Sequence, residues 1–219
     1  NQGAFDFEFL AEETLPKNLQ KANRLLRAKQ DSPGRGPGKW IIDPLDGTKN
    51  FSTGVQLFGI NLAVTYKNKL KYAAIYLPAL NDFCWAEAGR GTYLNGKKVT
   101  CSEKQNWTGI YGLGSVQFSP KTLKFQQALD ELSGHSAWTS AVACTAVSGI
   151  WMAAGKRDWY VSTLNTSWDH AAPALVAQEA GCVVTDFKGA AWQPGTDGLV
   201  VANKYLHPKL LELVQASYL

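Results

Sequence analysis

Read as a string of apolar and polar positions, the chain changes rhythm near its middle. In the first half, Trp40-Ile41-Ile42 is a short continuous apolar run that stops at Asp43, as a buried strand does when its end emerges at a site. Phe58 to Tyr66, with Ile60, Leu62 and Val64 alternating, Leu70 to Leu77, and Asp82 to Glu87 follow as strands. Arg90 to Val99 reads as a hairpin turning on Asn95-Gly96, so this section predicts an antiparallel meander. In the second half, strands at Gly109–Leu113, Ala137–Thr139, Trp159–Val161, Cys182–Thr185 and Leu199–Ala202 alternate with helices at Pro120–Leu132, Cys144–Ala154, Asp169–Ala180 and Pro208–Gln215. Pro120 and Pro208 stand where a first helical turn tolerates proline. Ahead of all this, Leu19, Ala22, Leu25 and Leu26 form a narrow helical stripe, and the breakers from Asp31 to Gly38 form a surface loop. The pattern predicts an α/β fold of mixed and antiparallel sheets layered with helices, without internal repeats.

Composition narrows the class. With 219 residues, 45% apolar and only 18% charged, the chain buries roughly 70% of its unfolded surface, in one sizeable core or two small ones. No stretch approaches the ~20 apolar residues of a membrane span, and the start has neither a basic nor an apolar leader region. A soluble protein is therefore expected, although the chain opens without Met, which leaves room for a preceding segment. Cys84, Cys101, Cys144 and Cys182 are widely spaced, with no CxxC pair, and read as free buried thiols in a reducing cytoplasm. The sequons at Asn50, Asn106 and Asn165 are taken as chance in such a chain.

The formal net charge of +4 is unevenly spread. Lys17 to Lys39 holds seven basic residues and one acid, a local +6 that leaves −2 for the rest. Such an excess could attract anions at long range, but a solvated helix and loop is the reading it favours. No aromatic residue lies within the segment to stack a base, so a nucleic acid polymer is not an expected partner.

Candidate chemistry concentrates in Asp43-Pro44-Leu45-Asp46-Gly47-Thr48-Lys49-Asn50-Phe51. Pro44 stiffens the turn, and Gly47 permits close approach of backbone to ligand. If a helical turn starts near Thr48, the N–H groups of Gly47 and Thr48 face a phosphate while Asp43 and Asp46 face a cation. Mg²⁺ takes carboxylates, a carbonyl such as that of Leu45, water and phosphate oxygens. An ordinary Asp-capped turn is the plain alternative. A calcium EF-hand is a poor match, because its closing Glu position is Gly54. Asp169, at or before a helix start, reads alone as an N-cap. Glu12-Glu13, closing a short apolar run, reads alone as a solvated pair.

Together, in this order, Glu12-Glu13, Asp43 to Phe51, and Trp168-Asp169 followed by His170–Ala180 and Gly181-Cys182 resemble the inositol monophosphatase family. These are Mg²⁺-dependent, lithium-sensitive phosphatases that include fructose-bisphosphate, histidinol-phosphate and bisphosphate-nucleotide phosphatases. The resemblance runs over essentially the whole chain. It implies the layered αβαβα sugar-phosphatase fold over residues 1–219, as one domain with sub-halves of about 1–107 and 108–219. It implies hydrolysis of a small phosphate monoester in a cytoplasmic homodimer, away from membranes. Glu12, Asp43 and the Leu45 carbonyl are then expected to hold one Mg²⁺, and Asp43, Asp46 and Asp169 the second, with a third ion in some members. Gly47 and Thr48 present N–H groups to phosphate. The Thr48 hydroxyl and Glu12 orient the attacking water, and Asp46, Thr145 and Asp169 complete the substrate side.

The chain departs from the family pattern in three places. Only eleven residues precede Glu12, so the family's first two helices, with an Asp that supports the water and a third metal, are not in it. Counting back seven from Asp169 reaches Ser162, where inositol phosphatases carry a Glu, which weakens the case for inositol. The substrate loop reads Ala143-Cys144-Thr145, whose bulkier Thr145 narrows the mouth, and the closing Gly-Gly has become Gly181-Cys182. A catalytically impaired, phosphosugar-binding or regulatory paralogue is the alternative that follows from the missing Asp.

Overall fold

The computed structural model describes residues 8–11, 38–115 and 118–219. Glu12, Glu13, the expected basic helix and most of the breaker run lie outside the described residues. The elements are β1 (Glu8–Ala11), β2 (Gly38–Asp46), a short α1 (Thr48–Ser52), β3 (Gly59–Tyr66), β4 (Lys69–Leu77), β5 (Asp82–Glu87), β6 (Gly91–Leu94), β7 (Lys97–Val99) and β8 (Tyr111–Ser115). Then come α2 (Pro120–Leu132), β9 (Trp138–Ser140), α3 (Thr145–Ala153), β10 (Trp159–Ser162), α4 (Ser167–Glu179), β11 (Val183–Thr185), β12 (Leu199–Ala202) and α5 (His207–Tyr218).

The predicted meander is a seven-stranded sheet in the order β1-β2-β3-β4-β5-β6-β7, antiparallel throughout except for parallel β1 and β2. Asn95 and Gly96, at φ 49° and 79°, make the left-handed corner that closes the β6–β7 hairpin. The alternating second half gives a five-stranded mixed sheet, β11-β12-β10-β8-β9. There β8, β9 and β10 run parallel, and β12 opposes both β10 and β11.

Helices α3 and α4 lie between the sheets and α2 and α5 on the far face of the smaller one, which makes four layers of described residues. The period-2 geometry of a strand divides each run between two cores. Tyr160, Leu199 and Val201 join Ile75, Val147 and Leu175 in the inter-sheet core, whereas Trp159, Val161 and Val200 join Phe125, Leu129 and Leu210 beneath α2 and α5. In the larger sheet Ala63 of β3 and Ala73, Ile75 and Leu77 of β4 face the helices, and Ile60 and Tyr72 point away.

Most boundaries differ from the sequence reading by a residue or a few, these four among them. Strand β2 does not stop at Asp43 but runs through Pro44 to Asp46, across an irregularity in its pairing. Helix α4 starts at Ser167, so Asp169 sits in its first turn and Thr166 at the N-cap. Strand β8 starts at Tyr111, because Gly109 turns the chain at φ 60°. Helix α5 runs past Gln215 to Tyr218.

Candidate metal and phosphate site

Residues 43 and 46 are an odd number apart, so on a regular strand their side chains leave opposite faces. The β2–β3 register prevents this: Asp43 pairs with Asn61 and Asp46 with Gly59, so three steps on β2 match two on β3. One extra residue is absorbed as a bulge, at the Pro that has no N–H to contribute to the ladder. Both carboxylates are consequently buried on the inner side of the sheet. Asp169 arrives from the first turn of α4, where a carboxylate is favoured by the helix dipole, and its carboxylate accepts a short hydrogen bond from the Thr166 hydroxyl. Oxygens of Asp43, Asp46 and Asp169 lie within 4.8 Å of one another.

The turn after Asp46 is fixed from three directions. Gly47 has φ 80°, and a Cβ there would sit 2.9 Å from the Leu57 carbonyl, so only glycine fits. Asn50 donates from Nδ2 to the carbonyls of Leu57 (2.7 Å) and Val142 (2.8 Å), tying α1 to the loop before α3. The Thr48 hydroxyl donates to the Leu45 carbonyl at 2.9 Å, and the Leu45 N–H donates to Asp43 Oδ1 at 3.1 Å. The leading N–H groups of such a turn have no intrahelical acceptor.

Asp46 is the most heavily supported side chain of the group. Its Oδ2 accepts from Thr145 Oγ1 (2.8 Å), Asn61 Nδ2 (3.1 Å), Cys144 Sγ (3.4 Å) and, in a short bond, the Ala146 N–H. Burial first, and the Asp46 carboxylate second, hold the Cys144 thiol well above its usual range, so it stays a neutral donor. Asn50 stands in the Asp43–Phe51 motif without an assigned role, whereas Asn61 and the Ala146 N–H lie outside the candidate motifs, the one signal for Asn61 being a lone amide in an apolar strand.

A cavity of about 360 Å³ opens between these elements, lined by Asp46, Gly47, Thr48, Thr145, Leu164 and Asp169 among others. That is the low end of small-molecule sites. Thr145 borders it with a buried side chain whose hydroxyl turns to Asp46. Ser162 is buried and bonds His170 Nε2 at 2.9 Å. Glu12 lies outside the described residues. The donor set of three carboxylates, without imidazole or thiolate, fits a hard cation such as Mg²⁺. Among the described residues no helix is long and apolar enough to cross a membrane.

Comparison with known proteins agrees with this fold. A Thermotoga maritima fructose-1,6-bisphosphatase/inositol-1-monophosphatase is 29% identical over 180 residues, 82% of this chain and 69% of that protein. A Pseudomonas aeruginosa protein named Nus factor SuhB is 30% identical over 94% of this chain and 80% of its own length. The solved structure of a Thermotoga maritima IMPase superposes with a TM-score of 0.80 at 27% identity, covering 97% of this chain and 75% of that one. The profile of the inositol monophosphatase family matches residues 4–218; the chain belongs to that family and, with it, to the phosphoric monoester hydrolases.

Proposed function

We propose that the chain hydrolyses a small phosphate monoester of the inositol, sugar, histidinol or nucleotide class, with Mg²⁺ held by Asp43, Asp46 and Asp169. The observation that carries this reading is the convergence of three carboxylates, from a bulged strand and a distant helix, beside one small cavity that Asp46 and Asp169 line. Carboxylates so close repel one another unless a cation neutralises them. Bound there, Mg²⁺ supplies neutralisation of phosphate charge and Lewis-acid activation of water.

The protein's own residues do the positioning. Four donors on Asp46 Oδ2 hold that carboxylate in one orientation, with its other oxygen available to the site. Gly47 and Thr48 offer N–H groups to phosphate oxygens. Because the Thr48 hydrogen is donated to Leu45, the hydroxyl oxygen is left as an acceptor toward the attacking water. By the family resemblance, Glu12 adds a further carboxylate to the same water, and the Leu45 carbonyl and Glu12 complete the first of two or three ion sites. The same reading carries lithium sensitivity, a cytoplasmic homodimer, and one domain over residues 1–219.

The test is inorganic phosphate release across those substrate classes with Mg²⁺, with EDTA and with Li⁺. Release that needs Mg²⁺ and falls at least roughly 10³-fold in Asp169→Asn is expected. Unimpaired turnover in both Asp43→Asn and Asp169→Asn would refute the reading. A second reading, a non-catalytic regulatory member, is favoured by the relative named as a Nus factor. It predicts metal or phosphate binding in calorimetry without turnover in any substrate class.

A further inference from the structure

Four cysteines are present as free thiols, and two of them are neighbours. Cys101 follows β7, and its backbone is held tightly: its N–H donates to the Ala180 carbonyl at 2.9 Å, two residues before Cys182. On its other side Gly155 packs so closely that a Cβ there would lie 3.3 Å from the Cys101 carbonyl carbon. Cys182 comes just after the C-terminal end of α4, where its N–H bonds the Ala177 carbonyl at 3.0 Å and Gly181 turns the chain at φ 98°. A Cβ on Gly181 would lie 3.6 Å from Cys101 Sγ, so that sulfur already reaches the backbone beside Cys182.

The two thiols differ in access and acidity. Cys101 is half-buried, while Cys182 is 6% exposed and borders a separate cavity of about 600 Å³ shared with Lys69, Lys71 and Trp192. The proximity of the two thiols lowers the Cys101 pKa and raises that of Cys182, burial adding to the rise. Cys84, by contrast, is pushed up to about 12 by burial, and Cys144 is likewise raised, chiefly by burial. Nucleophilic attack needs thiolate character and access together, and of the four only Cys101 has both.

We propose that Cys101 and Cys182 are an oxidative modification site, a thiol pair that a small-molecule disulfide converts into an intramolecular disulfide. The Cys101 thiolate attacks one sulfur of the disulfide RSSR, forming a mixed disulfide and releasing RS⁻, which takes up a proton as RSH. Cys182 then gives its proton to solvent and attacks the Cys101 sulfur, forming the Cys101–Cys182 bond and expelling the second RS⁻, which is protonated in turn. The pair loses two electrons and two protons, and RSSR becomes two RSH. The bond closes a loop of about 80 residues and ties the C-terminal end of α4 to the segment after β7.

The test uses the full, reduced chain and oxidised glutathione as probe. After incubation, denaturation and alkylation, tryptic digestion is expected to yield residues 99–104 joined to residues 158–188, with Cys84 and Cys144 alkylated. Cys182→Ala is expected to stop at one glutathione retained on Cys101, and Cys101→Ser to leave Cys182 alkylated. Glutathione retained on Cys101 of the unaltered chain, alkylation of both Cys101 and Cys182, or a linked peptide containing Cys84 or Cys144 would each overturn the proposal.

Discussion

The two sheets use their faces in opposite ways. In the five-stranded sheet both faces are filled with bulk: Trp159, Val161 and Val200 on one, Tyr160, Leu199 and Val201 on the other. In the seven-stranded sheet the face toward α3 and α4 carries Asp43, Asp46, Asn61, Ala63, Thr65 and Ala73. Ile41, Ile75 and Leu77 add bulk on that face, while other large side chains stand outside, with Ile60, Tyr72 and Phe83 41%, 52% and 45% exposed. Small residues let α4 approach the sheet closely, and polar ones can then meet across the gap. The larger sheet gives up part of the apolar burial on its inner face to place a polar site, and the smaller one supplies close packing on both faces.

That division predicts separable losses, the largest at the carboxylates. Asp43→Asn is expected to lower phosphate release by roughly 10³-fold or more, while the unfolding midpoint in urea stays close to that of the parent. A parallel fall in midpoint would erase the distinction between the sheets. Trp159→Ala should do the reverse. Its indole is fully buried, lies edge-on to Phe125 at 5.8 Å and fills the space over Gly112 on β8, where a Cβ would come within 1.9 Å of the ring. A loss of about 3–5 kcal/mol of stability is expected. Activity per folded molecule should be unchanged, as measured in urea titrations and assays below the transition.

Asn61 tests the boundary between the two behaviours, since it is a core residue by burial and a site residue by bonding. Asn61→Leu removes one donor from Asp46 Oδ2 and leaves Thr145, Ala146 and Cys144 to hold it. Supporting hydrogen bonds of this kind are worth about 10–100-fold in metal affinity. Isothermal titration with Mg²⁺ is expected to show a loss within that span. An unchanged affinity would make Asn61 a packing residue, and the inner face of the larger sheet less specialised than described.

The legible and illegible parts of the chain divide along the same line. The smaller sheet's central strands are short continuous apolar runs, and the helices on its far face open at or beside Pro120 and Pro208, so both came directly from the pattern. The Asp43–Phe51 motif was legible because its chemistry is local, down to a turn that begins at Thr48. Two features depend on partners remote in sequence and left no periodic trace. The bulge that brings Asp43 and Asp46 to one face is a property of β2 paired with β3. The donors on Asp46 come from Asn61 and from residues 144–146, about a hundred positions on. Alternation in β3 marks two faces but does not say which one the helices cover, and here they cover the one with the smaller side chains.

The smallest expected effect concerns His207, the first residue of α5, packed near the smaller sheet with Nε2 3.0 Å from Thr185 Oγ1. Burial lowers its pKa below the usual 6.5, against a weaker upward pull from a backbone hydrogen bond with Val200. A position at a helix N-terminus also disfavours the protonated ring. The folded state therefore binds the proton less readily than the unfolded chain, and stability must fall as pH drops below about 6.5. Above that value both states are neutral and the group contributes no slope. Replacing His207 by Gln keeps a hydrogen-bonding amide near Thr185 and removes the titration. Urea midpoints at pH 7.5 and 5.5 should then differ less in His207→Gln than in the parent, with the buried His170 still contributing in both. Equal differences in the two proteins would show that the smaller sheet's packing is insensitive to this ring's charge. Its contrast with the carboxylate-bearing sheet would then rest on volume alone.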